Sequence, residues 1–262
     1  MSKQRFTMFV PHGAPTFALN PGVIGQAMAQ SAQQFLEPRA IVIISPHWAT
    51  QQATVGTGSL LPTIHDFYGF DPALYALNYP ATGCPEAARQ VLNALQDAGI
   101  AATASETQGL DHGAWIPLRQ MFPDADVPVI PVSVQPKLGP THAWNVGRAL
   151  APLVKEGFFV IGSGNITHNL GDWQHAAATH SGTPSYVQRY SDWIEEKLHD
   201  GDTGALLNYR SLNADGVRAH PTDEHLLPLF TALGAAGPNA KAKPFFRGIS
   251  DIVIAMDGYV FE

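Results

Sequence analysis

An apolar run that ends in a histidine-containing turn recurs along this chain, and this pattern constrains the fold more than any other feature. Each copy places a run before a polar turn: Phe6–Val10 before Pro11-His12-Gly13-Ala14-Pro15, Ala40–Ile44 before Ser45-Pro46-His47-Trp48, and, more loosely, Phe158–Ile161 before a segment that contains His168. Such a run predicts a buried strand that delivers an imidazole to the loop at its carboxyl end. Ligand sites of open parallel α/β sheets form at that edge, so we expect the three histidines to converge on one metal site.

Strand-like and helix-like segments alternate along the rest of the chain, which predicts an α/β fold. Beyond the three runs, we expect strands over Ile100–Ala104 and Val127–Val134, and helices over Gly22–Leu36, Pro85–Ala98, Trp115–Met121, Thr141–Val154, Ser185–His199 and Asp223–Leu233. Residues 51–83 are predicted to be irregular, and 245–261 to form an antiparallel edge pair. Since no repeat, low-complexity tract or clear linker interrupts the chain, residues 1–262 are expected to form a single domain.

Charge and cysteine content exclude several classes of function. The formal net charge is −7, which argues against a nucleic-acid partner because phosphate binding requires a basic face. The lone cysteine, Cys84, excludes an internal disulfide framework and a multi-cysteine metal cluster, and it fits a reducing cytoplasm. Residues 1–10 have no long apolar segment after their charges, so no signal peptide is expected. No apolar run approaches the ~20 residues of a membrane span.

Histidine is the residue type that this sequence concentrates in unusual places. Five histidines lie among glycine, proline and tryptophan beside an apolar element: His12, His47, His112, His168 and His225. Taken singly, a histidine after a strand is more often a hydrogen-bonded loop residue than a ligand. Together they favour a metal site, because imidazole is the commonest metal ligand and catalytic sites keep three protein ligands and an open position. Solvated or capping roles are expected for the others in polar or helical stretches: His142, His175, His180 and His199.

One of the five, His225, is expected at the start of a helix. Thr222 is a plausible N-cap, which would put His225 at the third helical position. The neighbouring Glu224 is the only carboxylate beside a proposed ligand. It could complete a set of two histidines and one carboxylate, or it could simply interact with the helix dipole, which is the simpler explanation.

Six motifs in order give the chain a recognisable family resemblance. They are Pro11-His12-Gly13-Ala14-Pro15, Ser45-Pro46-His47-Trp48, Ile64-His65-Asp66-Phe67-Tyr68-Gly69-Phe70, Asp111-His112-Gly113-Ala114-Trp115, Gly162-Ser163-Gly164 with His168-Asn169, and His220-Pro221 with Glu224-His225. In this order they resemble the class III (LigB-type) extradiol ring-cleavage dioxygenases, most closely the single-chain DOPA 4,5-dioxygenase branch. Each motif is weak alone, but together they span nearly the whole chain.

The resemblance implies a single three-layer α/β domain with a central, mostly parallel sheet flanked by helices. It also implies a non-haem iron(II) site that opens a catechol such as DOPA with O2, by 4,5-cleavage, to a muconic semialdehyde; zinc(II) would fit the same site. By motif, His12, His47 and His225 match the metal ligands. His168 matches a residue at the metal's edge, either an acid–base catalyst or a fourth ligand. His112 matches a second-sphere histidine near the dioxygen and substrate positions.

Two features of the resemblance concern the substrate and the charge of the site. His65 matches a loop histidine that lines the substrate pocket, and with Tyr68 it is expected to contact the catechol substituent, unless the loop aromatics only anchor the loop to the core. Protocatechuate-type relatives use a glutamate as third ligand, where this chain has His225. The metal would therefore have no anionic protein ligand unless Glu224 takes part.

Two other functions remain compatible with these residues. An all-histidine ligand set also suits a zinc hydrolase on the same scaffold, in which metal-bound hydroxide attacks an ester or amide; no carboxylate is clearly placed as its general base. A non-catalytic metal-binding protein is the other alternative, although structural zinc sites are usually closed and rich in cysteine. Oxygen uptake with catechols would distinguish the dioxygenase from both.

Overall fold

An eight-stranded, mostly parallel sheet forms the centre of the protein. The computed structural model describes residues 6–35 and 37–262. The strands are β1 Thr7–Pro11, β2 Ala40–Ala49, β3 Ala53–Gly56, β4 Ala102–Ser105, β5 Val129–Val134, β6 Phe158–Gly164, β7 Ala242–Phe246, β8 Ile249–Ser250, β9 Ile254–Ala255 and β10 Gly258–Phe261. The α-helices are α1 Gly22–Ala32, α2 Pro72–Tyr75, α3 Pro85–Asp97, α4 His112–Met121, α5 Gly139–Lys155, α6 Leu170–Thr179, α7 Ser185–Asp200, α8 Thr203–Leu207, α9 Tyr209–Leu212, α10 Gly216–Ala219 and α11 Leu227–Ala236.

The sheet order brings the predicted histidine-bearing strands side by side. Its strands follow the order β4-β3-β5-β2-β6-β1-β10-β7. The central four, β5, β2, β6 and β1, are mutually parallel, so their carboxyl ends share one edge. Strands β1 and β6 are buried along their whole length, as expected for apolar strands covered on both faces. The predicted α/β fold with a mostly parallel sheet is confirmed.

Side chains at the end of β6 identify the helical layers on the two faces of the sheet. Cβ atoms added at Gly162 and Gly164 would project from one face of the sheet. They would lie 2.1 Å from the Pro228 carbonyl and 2.2 Å from the His225 carbonyl, respectively. Ser163 points to the opposite face, because side chains alternate along a strand. Its hydroxyl donates to the Gly113 carbonyl at 2.5 Å. Helix α11 therefore covers one face and helix α4 the other.

Several predicted boundaries differ from those observed. Strand β2 continues through His47 to Ala49, with a register shift against β5 after Ile44. Strand β3 and the short helix α2 lie within the segment predicted to be irregular. The first helix ends at Ala32, and Leu36, its predicted last residue, lies outside the described residues. The antiparallel pair in the tail is present as β7 and β10, and β10 also pairs with β1.

The predicted helix start at Thr222 is wrong. Helix α11 begins at Leu227, with Pro228 in its first turn, where the missing N–H costs no helical hydrogen bond. The Thr222 hydroxyl donates to the Glu224 carboxylate at 2.7 Å and caps no helix. His225 consequently lies in the turn before the helix.

Among the described residues, no helix is both long and apolar enough to cross a lipid bilayer.

Helices α5 and α11 pack closely through a pair of glycines. A Cβ atom at Gly147 of α5 would lie 2.0 Å from the Thr231 carbonyl, and one at Gly234 of α11 would lie 2.2 Å from the Trp144 carbonyl. Both distances involve backbone atoms, which cannot move away as a flexible side chain can. The two glycines therefore set the separation of these helices beside the sheet.

Replacing Gly147 with Ala should destabilise the protein even though alanine favours helix. We expect Gly147→Ala to lower the free energy of unfolding by about 2 kcal/mol, since overpacking costs roughly 1–3 kcal/mol and outweighs a propensity gain of about 1. Urea unfolding measures the change. The control is Gly204→Ala in helix α8, where the nearest atom would be 3.6 Å away; it should not destabilise. Equal stability of the two variants would contradict the packing interpretation.

Candidate metal centre

Three of the predicted histidines meet at the carboxyl edge of the sheet. His12 follows β1, His47 lies near the end of β2, and His225 precedes α11. Their ring centroids form a nearly equilateral triangle: 5.2 Å from His12 to His47, 5.4 Å from His12 to His225 and 5.1 Å from His47 to His225. The Nε2 atoms of His12 and His47 are 3.4 Å apart. Strand-end geometry thus brings these imidazoles into one cluster.

The other two predicted histidines extend this cluster. The His112 ring lies 3.9 Å from the His47 ring, and one nitrogen each of His12, His47 and His112 lies within 4.8 Å of the others. The His168 ring stacks on the His225 ring at 3.5 Å with an interplanar angle of 7°. By distance alone, His112 competes with His225 for the third place beside His12 and His47.

Hydrogen bonds fix the tautomer of His12. The Ser163 hydroxyl has a single proton, which it donates to the Gly113 carbonyl at 2.5 Å. It must therefore accept the second bond, 3.0 Å long, from the protonated Nδ1 of His12. Nε2 of His12 is left with its lone pair and lies 3.3 Å from Asn165 Nδ2 and 3.4 Å from His47 Nε2. Such outer partners commonly orient metal-binding histidines.

The backbone at the end of β6 positions the turns on either side of it. The His12 N–H donates to the Gly164 carbonyl at 3.3 Å, and the Asn165 N–H donates to the His225 carbonyl at 3.1 Å. The Asn165 side chain accepts from the Gly13 N–H at 3.1 Å. Gly13 has φ of +61°, which favours glycine. His12 and His225 are therefore attached to the same strand end.

His225 provides the clearest indication that the cluster suits a cation. Both of its ring nitrogens are buried and have no hydrogen-bond partner among the described residues. Glu224 Oε1 is 3.4 Å from Nδ1 but lacks hydrogen-bond geometry. A buried polar atom left unpaired costs roughly 1–3 kcal/mol. A metal ion would remove that cost, so the donor set fits a divalent cation.

His112 is held by a carboxylate that the sequence did not single out. Asp66 accepts the His112 backbone N–H at 2.8 Å and the His112 Nδ1–H at 3.0 Å. Burial raises the pKa of Asp66, but these bonds from His112 outweigh it and hold the pKa below its usual value. An ionised Asp66 keeps the proton on Nδ1 and the lone pair on Nε2. The sequence signal was weak, because Asp66 appeared only as part of a loop motif.

Burial keeps four of the clustered imidazoles neutral: those of His12, His47, His168 and His225. It lowers the pKa of His47 to about 3 and that of His168 to about 4. Burial, reinforced by the neighbouring histidines, also lowers the pKa values of His12 and His225. At neutral pH these rings carry no proton on the second nitrogen, and each can donate a lone pair to a metal.

A cavity of about 590 Å³ opens onto the cluster. All five histidines of the cluster line it, together with the apolar side chains Phe67, Phe70, Leu170, Trp173 and Ile254 and the carboxylates Glu224 and Asp251. Its volume is within the usual range of small-molecule sites. The cavity can therefore hold an aromatic ring next to the imidazoles.

The two residues predicted to contact the substrate lie elsewhere. His65 does not line the cavity: its Nε2 donates to the Leu77 carbonyl at 3.0 Å, and its ring packs near Trp115. Tyr68 is 88% exposed and also does not line it. From the same loop, Phe67 and Phe70 form part of the wall instead. Sequence reasoning assigned those two aromatics only to anchoring the loop.

Removing the Ser163 hydroxyl should weaken metal binding through His12. We expect Ser163→Ala to lower zinc(II) affinity about 10- to 100-fold, the usual cost of losing an outer partner of a ligand. Competition with a chromophoric chelator measures it. Ser133→Ala is the control: Ser133 is equally buried in the sheet but bonds Thr50 and Thr54. If both variants bind zinc like the wild type, Ser163 does not orient a metal ligand.

Comparison with known proteins identifies similar sequences along nearly the whole chain. A family model described as the catalytic LigB subunit of aromatic ring-opening dioxygenase matches residues 20–252. The extradiol 4,5-DOPA dioxygenase of Beta vulgaris is 35% identical over 259 residues, which cover 97% of this chain and 96% of that protein. The enzyme of the same name from Escherichia coli K12 is 35% identical over 242 residues, covering 90% and 87%.

A solved structure has the same fold. The crystal structure of an uncharacterized protein from Escherichia coli K12 superposes with a TM-score of 0.80 at 27% sequence identity. The match covers 99% of this chain and all of the other.

Proposed function

This chain belongs to the LigB family of aromatic ring-opening dioxygenases, and we propose that His12, His47 and His225 hold the metal with which it opens a catechol ring. The chain is an extradiol dioxygenase, since its relatives of that name match it over most of their length. The observation that supports this ligand set best is the pair of buried, unpartnered nitrogens of His225. Nδ1 of His112, in contrast, is already bonded to Asp66.

Iron(II) is the metal that we propose for activity. Bound at these histidines, it supplies the electron-transfer chemistry that allows a catechol to react with O2, and zinc(II) fits the same neutral donors without that chemistry. In the overall reaction the ring bond beside the two hydroxyls breaks and both atoms of O2 enter the product. Catechol plus O2 becomes a hydroxymuconic semialdehyde, with no other oxidant. DOPA, the substrate named for the relatives, is the first candidate substrate.

His112 is the proposed base that removes a proton from the catechol. Its Nε2 carries a lone pair, because Asp66 holds the proton on Nδ1, and it faces the cavity beside His47. His168 is a second proposed acid–base group: burial lowers its pKa to about 4, so it is neutral at pH 7 and can accept a proton. It could instead serve as a fourth ligand. Phe67 and Phe70 confine the aromatic ring and exclude water.

Two broader proposals accompany this assignment. We propose that residues 1–262 form one LigB-type domain, supported by a family match that runs from residue 20 to residue 252. We also propose a cytoplasmic location, supported by the single free cysteine, Cys84.

Oxygen consumption with catechols tests the function directly. The protein is loaded with iron(II) under nitrogen and then mixed with air-saturated buffer and DOPA or unsubstituted catechol. We expect uptake of one O2 for each ring opened and a yellow product. Uptake without ring opening, or none with either compound in protein that contains stoichiometric iron, would contradict the proposal.

The ligand assignment predicts different metal contents for two variants. We expect His225→Ala, like His12→Ala and His47→Ala, to lose most bound metal while remaining folded, and His112→Ala to retain it. Elemental analysis of metal-loaded, desalted protein measures this, with circular dichroism as the folding check. Loss of metal from His112→Ala and full content in His225→Ala would instead make His112 the third ligand.

Asp66→Asn should reduce turnover without loss of metal. The new amide would donate to Nδ1 of His112, forcing the proton onto Nε2 and removing the base. We expect kcat to fall roughly 10²–10⁴-fold, the usual contribution of a positioned acid–base group, with metal content unchanged. Asp71→Asn is the matched control, since Asp71 is in the same loop region but only caps α2. Equal rates for the two variants would remove Asp66 from the mechanism.

A further inference from the structure

We propose that the cavity selects catechols whose side chain carries an ammonium group and no carboxylate, and that Asp251 is the residue that binds the ammonium. This inference rests on the proposed function of the same site. It refines the substrate from DOPA, which carries both groups, to a catechol with an aminoalkyl side chain.

The charges along the cavity wall have one sign. Among the described residues that line it, the acidic side chains are Glu224 and Asp251, and no lysine or arginine is present. Thr16 and Gln174 add only neutral polar groups. A wall of this kind attracts a cation and repels a second carboxylate. The wall therefore discriminates by charge.

The two carboxylates differ in their position relative to the histidines. Glu224 is adjacent in sequence to His225, and its Oε1 accepts from Thr222. Asp251 lies in the turn between β8 and β9, where Ser250 donates to its Oδ2 at 2.8 Å. Within the described part of the chain, Asp251 forms no salt bridge with lysine or arginine. Its charge is thus available to the substituent of a bound ring.

The backbone at Asp251 is held in an unfavourable conformation. Asp251 and Ile252 are consecutive non-glycine residues with positive φ, +47° and +66°. A β-branched residue such as Ile252 rarely adopts this conformation. Such strain persists only where surrounding contacts enforce it, and it concentrates at ligand sites. Contacts with the surrounding structure therefore hold this turn in its conformation.

The contacts that enforce this turn come from the segment carrying His168. Thr167 Oγ1 donates to the Val253 carbonyl at 2.7 Å and accepts from the Ala255 N–H at 2.8 Å. The Ile166 N–H also donates to the Ala255 carbonyl, at 3.1 Å. Asp251 is consequently fixed relative to the histidine cluster, and it lines the same cavity as the five histidines.

The usual partners of a substrate carboxylate are not available at this wall. His65, the residue predicted to bind it, has its Nε2 bonded to the Leu77 carbonyl. The uncharged remainder of the wall is largely aromatic or aliphatic, with Phe70, Leu170 and Trp173 suited to a methylene chain. A carboxylate placed there would lie near Glu224 and Asp251 with no lysine or arginine to compensate its charge, which is unfavourable.

A series of four catechols tests the charge preference. Steady-state kcat/KM is measured on iron(II)-loaded enzyme with unsubstituted catechol, 4-(2-aminoethyl)catechol, DOPA and 3,4-dihydroxyphenylacetate. We expect the amine to exceed DOPA, and DOPA to exceed the acid, by about fivefold at each step, as for a partly exposed ion pair. The preference should shrink as salt increases, because salt screens exposed charges.

Two variants with equal net charge assign the effect to Asp251. Asp251→Asn should reduce the kcat/KM ratio of amine to unsubstituted catechol by about fivefold, and asparagine tolerates the positive φ. Asp97→Asn, at the exposed end of α3 and outside the cavity, should keep the wild-type ratio. Preference for DOPA or the acid over the amine, or an unchanged ratio in Asp251→Asn, would overturn the inference.

A binding measurement separates this inference from the proposed function. Dissociation constants for the same compounds are measured by calorimetry under nitrogen on metal-loaded protein, where no ring can open. Tighter binding of the amine, lost in Asp251→Asn, supports charge selection even if no catechol is turned over. Absence of turnover would contradict only the proposed catechol cleavage. Equal affinities for amine and acid would overturn the charge selection whatever the turnover.

Discussion

The hydrogen bonds at the end of strand β6 hold the site together. Gly164 accepts the His12 N–H, Asn165 donates to the His225 carbonyl, and Ser163 accepts from the His12 ring. This arrangement requires the hydrogen-bonding groups of Ser163 and Asn165 and the small size of Gly164. A Cβ atom on Gly164 would lie 2.2 Å from the His225 carbonyl. One strand end thus places two imidazoles from opposite ends of the chain, and the neighbouring strand β2 adds His47.

The electrostatic character of the site results from the burial of several imidazoles close together. Burial lowers the pKa values of His12, His47, His168 and His225, which leaves lone pairs rather than positive charges around the cavity. Asp66 then distinguishes His112 from the others by fixing its proton on Nδ1. A site with neutral ligands and one oriented base suits a catechol that arrives protonated and binds as an anion.

Local patterns predicted the parts of the structure that depend on local sequence. Apolar runs predicted the central strands, and the ends of two runs predicted the positions of His12 and His47. The direction of a strand determines at which edge of the sheet the residues after it lie. The prediction of a helix start at Thr222 was wrong because tertiary contacts with β6, rather than capping, determine the backbone path around His225. Asp66 and the wall residues Phe67 and Phe70 were not assigned their roles, since a loop's direction depends on distant partners. For the same reason His65 and Tyr68 were expected at the cavity, which they do not line.

The central claim is that three imidazoles from separate parts of the chain bind one catalytic metal. An anomalous difference map from a crystal soaked with cobalt(II) at neutral pH tests it most directly. We expect one strong peak bonded to ring nitrogens of His12, His47 and His225, with His112 nearby but still bonded to Asp66. A peak bonded to His112 in place of His225, a peak held by carboxylates, or no peak at this cluster would contradict it.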